Sequence, residues 1–149
     1  MKNIFLRVEH KRLKWHGWVI GFILFVYSSF SLYDYVMSIL LKEAYFVDSG
    51  MTEFQIEYFT NFPIWVTIAW TVSVWGLFLA TIAFLLRIRI AFILFLISLI
   101  GTLLYVIYTF GLSEGLEAMG VIWPAPILIT IVIAAMALYC KKFFNIKVR

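Results

Sequence analysis

Residues 63–110 read PIWVTIAWTVSVWGLFLATIAFLLRIRIAFILFLISLIGTLLYVIYTF, and Arg87 and Arg89 are the only charged side chains in the stretch. On each side of that Arg-Ile-Arg interruption lies an apolar run of about 20 residues or more. A helix of that length crosses a bilayer core of about 30 Å at about 1.5 Å per residue. The interruption leaves room only for a tight turn, so the two helices are antiparallel neighbours. This hairpin decides the fold class. Working outward, two more apolar runs complete spans at residues 17–41, 63–86, 90–110 and 123–139. The first run is too long for a cleaved signal peptide and reads as a membrane helix.

Composition agrees. Of the 149 residues, 64% are hydrophobic and 13% charged, against about 45–50% and roughly 25% in an ordinary soluble domain. Four spans leave no room for a separate soluble domain, so residues 1–149 form a single membrane domain. A soluble globular protein, a disordered tail and a nucleic-acid module are all excluded. The net charge of +4 does not point to nucleic acid either, because of where the charges lie. Eleven of the twelve Lys and Arg residues sit before span one, in the Arg87–Arg89 turn or after span four. In a four-span chain these are one side of the membrane. Six of the eight acids fall in the other two connections. The positive-inside rule places both termini in the cytoplasm, with the basic ends against anionic lipid head groups. The expected fold is an all-α, antiparallel four-helix membrane bundle.

The ends and connections add detail. Residues 1–15 are basic and partly amphipathic and are expected to lie along the inner surface before span one. In the connection 42–62, Thr52-Glu53-Phe54-Gln55 fits a capping box. Phe54, Tyr58, Phe59 and Phe62 then recur at helical spacing, which predicts a short amphipathic helix on the outer surface. Pro63 suits the first turn of the span that follows. Residues 111–122 form an acidic, glycine-containing connection.

Few residues could carry chemistry. Asp34 is the only acid inside a span, and counting along the helix places it near the outer boundary of the hydrocarbon. Acids in a membrane are costly and are turned toward protein or water, so Asp34 is either an anchor for the outer loop or a ligand-binding group. Tyr27, Ser31, Asp34 and Ser38 follow spacings of four, three and four and share one helix face. Span three repeats the pattern with Ser98, Thr102, Tyr105 and Thr109, and Thr67 and Thr71 add a shorter strip on span two. Such faces turn inward in lipid, either as packing contacts or as the wall of a polar cavity opening outward. Trp70 and Trp75 lie deeper in span two than the interfacial Trp65, where they either pack in the core or offer a face on which a flat apolar ring such as a quinone, or a sugar, could stack. The candidate ligand-binding set is Asp34, Ser31, Tyr105, Trp70 and Trp65.

Other chemistries lack residues. His10 and His16 have no companion ligands at metal spacing, so no metal and no cofactor is expected. Cys140 is the only cysteine and can form no disulfide within the chain; it reads as an incidental reduced thiol, with palmitoylation the alternative. No phosphate loop or nucleophile motif is present, and the chain does not read as an enzyme.

The strings Tyr33-Asp34-Tyr35-Val36-Met37-Ser38, Tyr58-Phe59, Phe62-Pro63-Ile64-Trp65, Ala69-Trp70 and Leu85-Leu86-Arg87 resemble an uncharacterised family of small bacterial four-span proteins often labelled "sugar transporter". The resemblance runs from span one through span three. It implies a multi-pass protein of the bacterial inner (plasma) membrane and draws attention to Asp34, Pro63, Trp65 and Trp70 without giving them roles. Two functions follow as expectations. The first is a small membrane protein that binds or transports a small solute through an outward-facing polar half, alone or as a homo-oligomer. The second is an accessory subunit whose polar seams pack against a larger membrane partner. The orientation is open to test directly: reporter fusions at Arg87 and Arg149 should signal cytoplasm and one at Ser113 the exterior, and an exterior signal at Arg149 would overturn the four-span reading.

Overall fold

The computed structural model describes residues 13–146, and these residues are helical with no strand among them. The expected surface segment falls outside the described residues up to position 12. Helix α1 spans Trp15–Leu41, α2 Glu43–Asp48, α3 Glu53–Thr60, α4 Ile64–Leu85, α5 Ala91–Ile107, α6 Gly115–Met119 and α7 Ala125–Phe143. A π-helical turn at Tyr108–Leu112 lengthens α5, and a 3₁₀ turn at Gly120–Ile122 leads into α7. Four of these helices, α1, α4, α5 with its π turn, and α7, are long and apolar enough to cross a membrane. The chain is a multi-pass membrane protein built as an antiparallel helical bundle.

Helix ends differ from the sequence expectation where local chemistry shifts them. Span four starts at Ala125 rather than at residue 123, with Pro124 as N-cap and Pro126 in the first turn, where a missing N–H costs nothing. It runs on to Phe143, because Lys141 and Lys142 in the last turn suit the negative end of the helix dipole. The turn between α4 and α5 is closed by paired backbone bonds. Arg87 N–H donates to the Phe84 carbonyl at 2.9 Å and Ile88 N–H to that of Ala83 at 2.8 Å. Arg87 holds the left-handed conformation, φ 60°, that this ending requires.

The predicted capping box forms at α3. Gln55 N–H donates to Thr52 Oγ1 at 3.3 Å, and Thr52 N–H donates to Gln55 Oε1 at 3.0 Å. The same Gln55 side chain donates from Nε2 to the Ala118 carbonyl at 2.8 Å, which ties α3 to α6. The amphipathic face is rotated from the expected one. Glu53 and Glu57 face out as expected, but Phe54 is exposed, while Tyr58, Phe59 and Phe62 are half-buried. The tie to Ala118 fixes that rotation, because Gln55 rather than Phe54 must face α6.

In the bundle, α4 and α5 share the largest interface, α1 packs on α4, and α7 packs on α5. The closeness of α4 and α5 depends on glycine. A Cβ at Gly101 would stand 2.7 Å from the Ala69 carbonyl oxygen and 2.8 Å from Ser73 N, both backbone atoms of α4. A Cβ at Gly76 would meet Ser98 on α5 at 3.0 Å. In lipid, where no hydrophobic force drives helices together, such small residues let backbones approach and pack. Near the Arg87 turn a dry core joins all four spans through Leu24, Phe84, Phe95, Ile133 and Cys140. Cys140 is fully buried there, so the sulfur is not available for the palmitoylation considered above.

Helices α1 and α7 flank the α4–α5 pair and meet at this basic end, where the His16 and Tyr139 rings lie 6.2 Å apart. Toward the acidic end they separate. The seam gives a quantitative expectation. Gly101→Ala should lower the stability of the detergent-solubilised protein by about 1–3 kcal/mol, the usual cost of forcing a methyl into a packed contact. Gly111→Ala, where a Cβ meets nothing within 4 Å, is the neutral control. Equal melting of the two variants would show that α4 and α5 are not held this closely.

Candidate functional site

The gap between α1 and α7 encloses a cavity of about 330 Å³, within the usual range for small-molecule sites. Its α1 wall is the face read from the sequence: Tyr27, Ser31, Asp34 and Ser38 all line it. Its back is the α4–α5 seam, presenting Trp70, Ser73, Thr102 and Tyr105. The α7 wall is apolar, with Pro126, Ile129 and Ile133. Over the acidic end, Phe46 of α2, Met51, Phe59 of α3 and Met119 of α6 form a roof. Phe46 and Met119 are buried, and the Phe46 and Phe59 rings lie 5.9 Å apart.

Asp34 is held on one side only. The Tyr45 hydroxyl donates to Asp34 Oδ1 at 2.8 Å. That contact requires α2 to fold back over α1, and the break comes at Lys42, at φ 47° and ψ −123°. Gly120 has nearly the same dihedrals, φ 50° and ψ −125°, at no steric cost; the lysine carries strain there. Asp34 is therefore the loop anchor and a wall of the cavity at once. Among the described residues its second carboxylate oxygen has no hydrogen-bond partner and the carboxylate has no ion pair.

Hydroxyls on the two sides of the cavity differ. Those of the seam are bonded to each other: Ser98 Oγ donates to the Ser73 carbonyl at 2.8 Å, and Ser73 Oγ and Thr102 Oγ1 lie 2.6 Å apart. Tyr35 on α1 bonds Thr71 on α4 at 2.7 Å, which holds those two helices together beside the cavity. By contrast, the hydroxyls of Tyr27, Ser31 and Ser38 have no hydrogen-bond partner among the described residues. The α1 face carries most of the cavity's unused polar capacity.

Four of the five residues singled out by sequence come together here: Ser31, Asp34, Trp70 and Tyr105. Trp65 does not. It lies against Tyr108, ring centroids 5.5 Å apart, and is 41% exposed. Five residues at about 100° each put Trp65 about 140° around α4 from Trp70, so the two cannot line one cavity. Trp75 is likewise turned outward, at 42% exposed. Sequence reading missed Ser73, which shares a face with Trp70 at i+3 and was available from that spacing. It also missed the roof, since Phe46, Met51 and Met119 come from two separate connections, 42–62 and 111–122. Comparison with known protein families, characterised proteins and solved structures finds no match.

The Tyr45 phenol, outside the spans, has its pKa raised above the ordinary 10.0, first by the hydrogen bond to Asp34 and then by partial burial. A raised phenol pKa means that the neutral, donating form is favoured. The bond is therefore complete at neutral pH and is lost only as the pH climbs past 10.0 through the raised value. In an ultraviolet titration of the tyrosines, Tyr45→Phe should remove one phenol from the late-titrating fraction, and Asp34→Asn should move that same phenol back toward 10.0. An unchanged curve in Asp34→Asn would mean that the two groups are not bonded.

Proposed function

We propose that this protein binds a small solute in the wedge between α1 and α7 and holds or passes it across the membrane. The observation that carries the reading is the α1 wall. Tyr27, Ser31, Asp34 and Ser38 present three hydroxyls with no partner among the described residues and a half-satisfied carboxylate to one cavity. Leaving polar groups unpaired in a membrane protein is costly, and a polar ligand relieves that cost. The seam hydroxyls of Ser73, Ser98 and Thr102, which an accessory subunit would need for docking to a larger partner, are instead bonded within the chain. The charge distribution supports an orientation with both termini cytoplasmic and the basic ends on anionic head groups, and the family resemblance supports a bacterial inner membrane. In that orientation the cavity lies in the outer half.

The buried Cys140 makes a direct test simple, because Ser31→Cys introduces the only accessible thiol among the described residues. A maleimide should alkylate that variant. At least one class of solute from a panel of sugars, amino acids, organic acids and alkyl amines should slow the reaction. Sugars come first because of the family resemblance. Alkylation that no class slows, in protein with an unchanged melting temperature, would remove the binding function.

A further inference from the structure

The wedge has an asymmetry that defines its ligand more narrowly, and the inference rests on the solute-binding reading above. Its charged group is a carboxylate that no cation neutralises among the described residues, with one oxygen taken by Tyr45 and the other open. Aromatic faces stand around the same space: Tyr27, Trp70 and Tyr105 from the spans and Phe46 from the roof. A carboxylate beside π-systems favours a positively charged group, through charge-assisted hydrogen bonds and cation–π attraction. The opposite wall, Ile129 and Ile133 on α7, offers no hydrogen-bond donor or acceptor from its side chains. A ligand with hydroxyls on every side, such as a sugar, would leave half of them unmatched there.

Exposure locates the mouth. Phe46 above and Val74, Leu77 and Thr102 behind are 3–5% exposed. The open lining residues are Tyr27 at 43% and Asp34 on α1, Ile122 at 65% in the 3₁₀ turn, and Ala125 at the start of α7. Phe46 and Met119 close the middle of the roof, and the exposed lining residues stand along the two edges of the slot between α1 and the start of α7, so the opening lies between these helices. Tyr27 lies 12 residues along α1 from Trp15, or about 18 Å into the membrane, so the lower lip of this mouth meets acyl chains.

We propose that the wedge takes an amphiphilic ammonium ion from the membrane side, its positive head against Asp34 and its apolar tail along α7. The ammonium group has two possible sources, the head group of a lipid or a free long-chain amine.

The test uses the full chain carrying Ser31→Cys, in nanodiscs of phosphatidylglycerol, with four probes. Three share a ten-carbon tail: decylammonium, decanoate and decyl glucoside. Ethylammonium is the fourth. Decylammonium should slow maleimide alkylation at position 31, and ethylammonium should require a far higher concentration. Adding Asp34→Asn should weaken decylammonium by about tenfold or more, the worth of a charged hydrogen bond, while Asp34→Glu restores it. Should Asp34→Asn fail to fold, Ile129→Trp serves instead. It fills the tail wall without touching Asp34 and should weaken decylammonium while leaving ethylammonium unchanged. Phosphatidylethanolamine added to the discs separates the sources: protection by it alone assigns the lipid head group, and its absence assigns the free amine.

Protection by decyl glucoside or decanoate with decylammonium inert would overturn the ammonium proposal and leave solute binding standing. Equal protection by ethylammonium would overturn the tail and the mouth between α1 and α7. Protection by none of the four, together with a silent solute panel, would remove both readings.

Discussion

The close approach of α4 and α5 at Gly101 and Gly76 is the constraint on which the rest depends. With backbone atoms of α4 within 2.8 Å of where a Gly101 Cβ would stand, the two helices are as near as backbone sterics allow. That distance brings Ser73 within hydrogen-bond reach of Ser98 and Thr102, so the seam is both close-packed and polar without leaving donors unpaired. The other two spans are then attached to the outside of this pair. Each gains most of its packing from one partner, α4 for α1 and α5 for α7. A bundle assembled on a central pair has no requirement that its flanking helices meet along their whole length, and here they do not.

The two ends of the bundle are consequently different materials. At the basic end, Phe84, Phe95, Ile133 and Cys140 fill the space between four helices, and a single tight turn and charged termini mark the boundary. At the acidic end the same helices are held apart by short elements laid across the top. Gln55 is central to that arrangement, since one side chain closes the capping box of α3 and reaches the Ala118 carbonyl. Asp34 performs a similar double duty, holding Tyr45 of α2 while facing the cavity. A charge in that position need not be buried to be ordered; its neighbour orders it.

Some of this was legible residue by residue. The four-three-four spacing from Tyr27 to Ser38 put those side chains on one face, and the structure turns that face into a cavity wall. The Thr52–Gln55 box was readable because both halves of it lie within one turn. Trp65 went astray because it was grouped with Trp70 by residue type and resemblance, whereas helical geometry puts them on different faces. The rotation of α3 was not readable, since it is set by Ala118, 63 residues away. Burial of Cys140 was hidden for a similar reason: adjacency to Lys141 suggests an interface, but helical phase turns the sulfur into the core.

By itself the sequence determined how many spans there are, that the middle two form a hairpin, which side chains share a face and where the charges concentrate. All of these follow from local periodicity, from the cost of burying charge and from the length of helix that crosses a bilayer. Tertiary structure alone decided that a cavity lies between α1 and α7 toward the acidic end, that two connections roof it, and that its opening lies between these helices. The physical reason is that a helical pattern specifies direction around its own axis and nothing about distance. The separation of two helices 84 residues apart in the chain is set by what packs between them, here a glycine-drawn pair that leaves its neighbours on opposite flanks.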